Sequence, residues 1–202
     1  MSLPNQLTSL RIILAPLFYI LFAVVDPPLY GWAVIVFIVA GITDWYDGYF
    51  ARKLGKLSAF GAFYDPLADK ILTSFAFIAF ASKGLVPIWC VVLIIFRDTY
   101  LTLFRMLADS RGQSIKTSNF AKYKTFFQMT FISYLLIALM LADGYMGNGV
   151  VSFGQILLEK QVVWWLIVLI TALTVLSAAA YTYDNFGTLK TIVKRPLYKN
   201  TQ

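Results

Sequence analysis

Six long apolar runs follow one another along this chain, and they constrain its fold more than any other feature. Each run has about 20 residues, the length that an α-helix needs to cross the hydrocarbon core of a bilayer. Proline, glycine and charged residues interrupt the runs near positions 26–28, 55–56, 83–84, 112 and 143–149. The pattern predicts a single domain, residues 1–202, with helices over about 6–25, 30–51, 60–82, 86–108, 120–142 and 161–184.

The composition indicates that the solvent of these helices is lipid. Hydrophobic residues make up 59% of the chain and charged residues only 13%, whereas average soluble domains carry about 25% charged residues. Strands are not expected, because an open sheet cannot cross lipid and the runs are too long for barrel strands. We therefore predict an all-α integral membrane protein with six transmembrane helices.

The basic residues are distributed unevenly between the two sides that this topology defines. Only Lys83 and Lys160 fall in loops opposite the termini, while most other lysines and arginines fall on the side of the termini. The positive-inside rule then places both termini in the cytoplasm. The same distribution explains the net charge of +7 through topology and attraction to anionic lipid headgroups. Nucleic-acid binding is therefore not expected.

Four aspartates lie close together around the second break. Asp44 and Asp47 precede it, and Asp65 and Asp69 follow it. Residues three or four apart share a helix face, so the two pairs form stripes that antiparallel neighbouring helices would bring together at their cytoplasmic ends. Four carboxylates in a pocket of low dielectric constant would take up protons unless cations neutralised them. A pair of Mg²⁺ or Mn²⁺ ions would match such oxygen ligands and phosphate chemistry.

Small residues and one arginine accompany the aspartates. Gly48, Ala51 and Gly61 would let a nucleotide approach the helix backbones, and Arg52 could bind phosphate. Intramembrane aspartates can also pair with lysine or arginine, or line the ion path of a transporter. A transporter would more often place its site near the midplane between repeated halves, and no repeat is visible here. The chain has no histidine, which excludes histidine bases and histidine metal sites.

The segment 44–69 resembles the CDP-alcohol phosphotransferases, whose signature is D-x2-D-G-x2-A-R-x8-G-x3-D-x3-D. It matches at all eight defined positions. The resemblance implies a six-helix membrane enzyme, usually a homodimer, that transfers a phosphatidyl group from a CDP-lipid such as CDP-diacylglycerol to an alcohol. It implies metal binding by Asp44, Asp47 and Asp65, with Asp69 as a metal ligand or the general base. It also assigns Gly48, Ala51, Arg52 and Gly61 to the CDP-lipid site.

The acceptor alcohol has to be inferred from other residues. Arg97 and Arg105 lie on one helix, and Lys124 and Thr125 follow in the next cytoplasmic segment. An arginine inside a span suggests an anionic partner, although Arg97 could simply pair with Asp98, and Arg105 and Lys124 could extend to the membrane surface. We interpret these four residues as a site for a phosphate-bearing alcohol.

These segments and the opening Pro4-Asn5 … Thr8 … Arg11 resemble bacterial phosphatidylglycerophosphate synthases within that family. The resemblance implies glycerol 3-phosphate as acceptor and the bacterial inner membrane as location, with the site facing the cytoplasm. Asp98 departs from it, since many of those enzymes have glutamate there. Cardiolipin synthases of the same family share the opening and the Arg-Asp pair, so phosphatidylglycerol is an alternative acceptor. Inositol phosphate, serine and aminoalcohols are further alternatives.

Overall fold

A computed structural model of the protein describes most of the chain. It describes residues 3–26, 28–54, 59–113, 119–144 and 147–194. Within these ranges, side chains are described except at 3–8, 44, 45, 47–54, 59–69, 119–122, 148 and 191–194.

All regular secondary structure in the described ranges is helical, which confirms the all-α prediction for that part of the chain. The long helices are α1 (Leu3–Tyr19), α2 (Tyr30–Leu54), α3 (Ala59–Ser82), α4 (Ile88–Asp109), α5 (Asn119–Ala142) and α7 (Lys160–Asp184). α1 continues into a π-helical turn, Ile20–Val24, in which the Val25 amide donates to the Ile20 carbonyl at 3.0 Å. Thus each of the six intervals expected from the apolar runs holds a helix.

Three short elements were not expected from the sequence. A 3₁₀ turn, Asn148–Val150, leads into α6 (Val151–Leu157), and α8 (Phe186–Lys194) follows α7 almost directly. Neither α6 nor α8 is long enough to form an apolar run of spanning length, so a search for such runs passes over them. Among the described residues, Tyr123–Ala142 and Lys160–Asp184 are long and apolar enough to cross a membrane.

Aromatic packing holds the first three helices together. The Phe18 ring of α1 lies 5.5 Å from the Phe37 ring of α2, and Phe22 lies 5.4 Å from Phe80 of α3. α1 contacts both α2 and α3, and these two helices also contact each other. Such buried aromatic rings contribute large apolar areas together with favourable edge and offset geometry. The two helices that carry the aspartates are therefore fixed to one common partner.

α4 lies between α3 and α7 and runs parallel to α7. Arg97 on α4 contacts Ser177 on α7, and further along both helices the Phe104 ring lies 6.1 Å from the Tyr181 ring. α5 contacts both α3 and α7. The interior between α3, α4, α5 and α7 is where the polar side chains described below are buried.

Large apolar side chains cover much of the outer surface. Phe96, Phe126 and Trp165 are 70%, 65% and 66% exposed. Exposed apolar patches of this size are unusual on a soluble monomer and mark contact with lipid or another protein. Their position on the long helices agrees with a protein whose surroundings are apolar.

Candidate active site

The aspartates of the signature lie on the two helices that the sequence predicted. Asp44 and Asp47 belong to α2, together with Gly48, Ala51 and Arg52, while Gly61, Asp65 and Asp69 belong to α3. The side chains of all eight residues lie outside the described part of the structure. The proposed metal ligands therefore remain a prediction, and so does the predicted CDP-lipid site.

The helix register places the aspartates at similar depths. Asp44 precedes the connection between α2 and α3 by nearly the same number of residues as Asp69 follows it. With a rise of about 1.5 Å per residue in both helices, their backbones lie at comparable distances from that connection. Carboxylates are the hard oxygen donors that Mg²⁺ and Mn²⁺ prefer, so the donor set fits such ions. Within the described side chains, no three aspartate, glutamate or cysteine residues come together as a metal site.

Beside α3, a buried ionic group joins α4 to α5. The Arg97 Nη1 donates to Asp98 Oδ1 at 2.9 Å, and the Lys124 Nζ donates to the same oxygen. Arg97, Asp98 and Lys124 are only 8%, 4% and 2% exposed. Removing such charges from water is costly unless they are paired and hydrogen-bonded, so this group holds α4 and α5 in a defined relative position.

Ser177 connects this group to α7. Its Oγ accepts a hydrogen bond from Arg97 Nη2 at 2.7 Å and donates to the Thr174 carbonyl at 2.8 Å. The guanidinium is therefore held from two sides, by a carboxylate on its own helix and by a hydroxyl on α7. Nothing in the local sequence of Ser177 indicated this contact.

Lys70 brings α3 into the same electrostatic environment. It interacts with both Asp98 and Lys124, and it directly follows Asp69 in the sequence. Among the described side chains, two cations thus contact this carboxylate, and the charge of Lys70 acts on it electrostatically. A buried group with excess positive charge is a favourable place for an anion. Lys70 could have been found from the sequence as a lysine inside a span, but its neighbours could not.

The four residues predicted to bind the acceptor occupy two different environments. Arg97 and Lys124 both contact Asp98. Pairing of Arg97 with Asp98 was one of the alternatives raised by the sequence. Thr125 is half-buried beside Lys124, whereas Arg105 is exposed on α4 and lies outside the buried group. The structure therefore brings together two of the four, and the acceptor site itself remains a prediction.

Two buried donors near this group have no hydrogen-bond acceptor among the described residues. They are Arg97 Nε and Gln128 Nε2, and Gln128 lies one helical turn after Lys124 on α5. A buried donor without an acceptor costs about 1–3 kcal/mol. A ligand or water that supplies oxygen atoms here would recover that cost.

Comparison with known proteins places this arrangement in context. Residues 1–176 match the family described as CDP-alcohol phosphatidyltransferase. A protein of Bacillus subtilis named CDP-diacylglycerol–glycerol-3-phosphate 3-phosphatidyltransferase is 38% identical over 148 residues, which cover 67% of this chain and 77% of that protein. A protein of the same name from Rickettsia typhi is 31% identical over 173 residues, which cover 86% of this chain and 92% of that protein.

Proposed function

The chain belongs to the CDP-alcohol phosphatidyltransferase family, and on that premise we propose that it transfers the phosphatidyl group of CDP-diacylglycerol to sn-glycerol 3-phosphate. The products are phosphatidylglycerophosphate and CMP, and the reaction belongs to phospholipid biosynthesis. The names of its relatives support both substrates.

One observation carries the choice of acceptor. Arg97 and Lys124 contact the single carboxylate of Asp98 in a region with little solvent, and the charge of Lys70 acts on the same carboxylate. A phosphate monoester dianion would balance the excess positive charge and accept hydrogen bonds from donors such as Arg97 Nε and Gln128 Nε2. Because Lys70 directly follows Asp69, the bound acceptor would lie next to the helix that carries the predicted general base.

In this reaction, different residues of the chain would bind the metal ions, bind the nucleotide and accept the proton. Asp44, Asp47, Asp65 and Asp69 would hold one or two Mg²⁺ or Mn²⁺ ions, which neutralise the pyrophosphate of the CDP-lipid when bound. Gly48, Ala51 and Gly61 leave room for the nucleotide, and Arg52 contacts its phosphates. Asp69 accepts the proton of the acceptor hydroxyl as its oxygen attacks the lipid-side phosphorus. The bond from that phosphorus to the CMP oxygen breaks, and CMP leaves.

The same proposal extends to the membrane arrangement. The enzyme is an integral membrane protein whose six long helices all span the bilayer, with both termini in the cytoplasm. The charge distribution supports this orientation through the positive-inside rule. The active site then faces the cytoplasm, where glycerol 3-phosphate is soluble, in a bacterial inner membrane. We further propose a homodimer, as the family resemblance implies.

The test is a reconstituted assay with one variable acceptor. The full-length protein in vesicles would receive CDP-diacylglycerol and Mg²⁺ with glycerol 3-phosphate, phosphatidylglycerol or no acceptor. We expect CMP release and phosphatidylglycerophosphate with glycerol 3-phosphate, and loss of both on chelation by EDTA. If CMP is released only when phosphatidylglycerol is present, that lipid is the acceptor instead of glycerol 3-phosphate. Absence of CMP with every acceptor tried would refute the enzyme assignment.

A further inference from the structure

A completely buried arginine lies on α1, in the half of the helix that comes first in the chain. Arg11 is only 1% exposed. A guanidinium stays protonated in proteins, so burial of this charge is costly unless an anion lies beside it. Extension of the side chain to the membrane surface would avoid that cost, but its burial excludes such a position. Arg11 therefore requires an anionic partner inside the protein.

Arg11 belongs to the face of α1 that packs against α2 and α3. Phe18 and Phe22, seven and eleven residues further along, share this face and are completely buried. The Phe18 ring contacts Phe37 of α2, and the Phe22 ring contacts Phe80 of α3. The buried arginine thus lies on the stripe of α1 that meets the two helices carrying the signature aspartates.

The ring contacts also give the level of this arginine along α2. The two helices run antiparallel, because Phe18 contacts Phe37 whereas Phe22 contacts Tyr30, which comes earlier in α2. The arginine precedes Phe18 by seven residues, and the residue seven positions after Phe37 is Asp44. Since α-helices rise by about 1.5 Å per residue, the backbone of Asp44 lies at the level of the buried arginine.

α3 leads to a second signature aspartate at the same level. It runs parallel to α1, because Tyr19 contacts Phe75 and Phe22 contacts Phe80. The arginine precedes Phe22 by eleven residues, and the residue eleven positions before Phe80 is Asp69. The contact of Tyr19 leads to within one helical turn of the same residue. Two independent registers therefore place the arginine level with one aspartate of each helix.

Other acidic residues do not provide the counter-charge. α1 itself contains no aspartate or glutamate. The cations that act on Asp98 are Lys124, Lys70 and Arg97, and Asp26 is exposed at the opposite end of these helices. The anions at the level of the buried arginine are those of the signature.

We propose that Arg11 is a positioning residue whose guanidinium pairs with the carboxylates of Asp44 and Asp69. The rigid fork of guanidinium donors can serve two carboxylates at once. It supplies a permanent positive charge between carboxylates that would otherwise repel one another, and so holds α2 and α3 together before substrate binds. Its burial argues against direct contact with a substrate phosphate. The inference rests on the aspartate site of the proposed function, but not on glycerol 3-phosphate as the acceptor.

Double-mutant cycles test this pairing without substrate or metal. The full-length protein in detergent and EDTA would be unfolded thermally as wild type, Arg11→Met, Asp69→Asn and the double variant, with a second cycle for Asp44→Asn. In wild type each aspartate substitution removes an ion pair, whereas Arg11→Met has none left to lose. We expect the change in unfolding temperature on each aspartate substitution to be at least about 3 °C more favourable in Arg11→Met than in wild type. If Arg11→Met does not fold, Arg11→Gln takes its place.

Asp26→Asn is the matched control, because it removes an exposed carboxylate at the other end of the helices. It should shift the unfolding temperature equally in both backgrounds. Equal shifts for Asp44→Asn and Asp69→Asn as well would overturn the proposal.

Kinetics give a second readout of the same pairing. Arg11→Met should lower kcat with little change in the KM for CDP-diacylglycerol, because the aspartates lose their position. A raised KM with unchanged kcat would assign Arg11 to substrate binding and overturn the proposal. The unfolding cycles contain no substrate, acceptor or metal, so a failure of the proposed reaction would not alter their result.

Discussion

Lys124 of α5 and Asp98 of α4 form a salt bridge whose side chains are 1% and 5% exposed. The same Asp98 oxygen accepts a hydrogen bond from Arg97, so a single carboxylate serves two buried cations. This arrangement makes Asp98 the residue on which the relative position of Arg97 and Lys124 depends.

Replacing Asp98 by asparagine should destabilise the protein and weaken acceptor binding. Breaking a buried ion pair by removing one partner costs about 3–5 kcal/mol, because the remaining charge is left uncompensated. We expect a lower unfolding temperature in detergent and a raised KM for glycerol 3-phosphate with a smaller change in the KM for CDP-diacylglycerol. Asp109→Asn, at an exposed position of the same helix, is the control. If Asp98→Asn were as stable as wild type, the buried ion pairs of Asp98 would not contribute to the stability of the protein.

Ser177→Ala should loosen the guanidinium of Arg97 while leaving its charge in place. The lost hydrogen bond to a charged donor contributes about 1.5–3 kcal/mol. Stability should fall by an amount in that range, and the KM for glycerol 3-phosphate should rise with little change in kcat. Ser110→Ala removes an exposed hydroxyl that donates only to the Leu107 carbonyl and should change neither quantity. Identical behaviour of the two variants would contradict the role of Ser177 in holding Arg97.

Lys124→Met and Arg105→Ala should differ in their effects on the acceptor. Lys124 is almost completely buried in the ionic group, whereas Arg105 is exposed to the surroundings, where charge interactions are screened. We expect the KM for glycerol 3-phosphate to rise more in Lys124→Met than in Arg105→Ala, after correction for the folded fraction of each protein. A larger effect of Arg105→Ala would move the acceptor phosphate away from the buried group.

Asp69→Asn should abolish turnover while sparing part of the binding of CDP-diacylglycerol. A positioned general base contributes about 10²–10⁴-fold to a rate, and loss of a metal ligand would add to that effect. CMP release measures turnover, and retention of a labelled CDP-lipid measures binding. Asp26→Asn, an exposed residue at the other end of the helices, should retain full activity. Normal turnover of Asp69→Asn would exclude the base and ligand roles together.

Gly154→Ala should destabilise the contact between α6 and the end of α5. A Cβ atom at this position would lie 2.3 Å from the Ala142 amide nitrogen, which belongs to the backbone and cannot turn aside. Overpacking of this kind costs about 1–3 kcal/mol. Gly187→Ala is the control, because a Cβ there would have no atom within 4 Å. The free energies of unfolding of the two variants should differ clearly, and equal values would contradict the close approach.

The sequence predicted the parts of the site that depend on neighbouring residues, but not the contacts between distant residues. The aspartate pairs could be recognised because residues three or four apart share a helix face. Pairing of Arg97 with Asp98 could be raised because the two residues are adjacent. The contacts of Lys124 with Asp98 and of Arg97 with Ser177 span 26 and 80 residues. No local sequence pattern predicts contacts between residues so far apart in the chain, because these contacts depend on how three helices pack.

The amino-acid sequence by itself determined the helical class, the six long helix intervals and the family, because an apolar run in lipid must satisfy its backbone polar groups within one helix and the signature is a short local pattern. Only the tertiary structure decided which cations share Asp98, that Ser177 holds Arg97, that α6 and α8 exist as separate short helices, and that Arg105 remains outside the buried group. Those outcomes depend on side chains from distant segments meeting in a region of low dielectric constant, where each buried charge requires a partner.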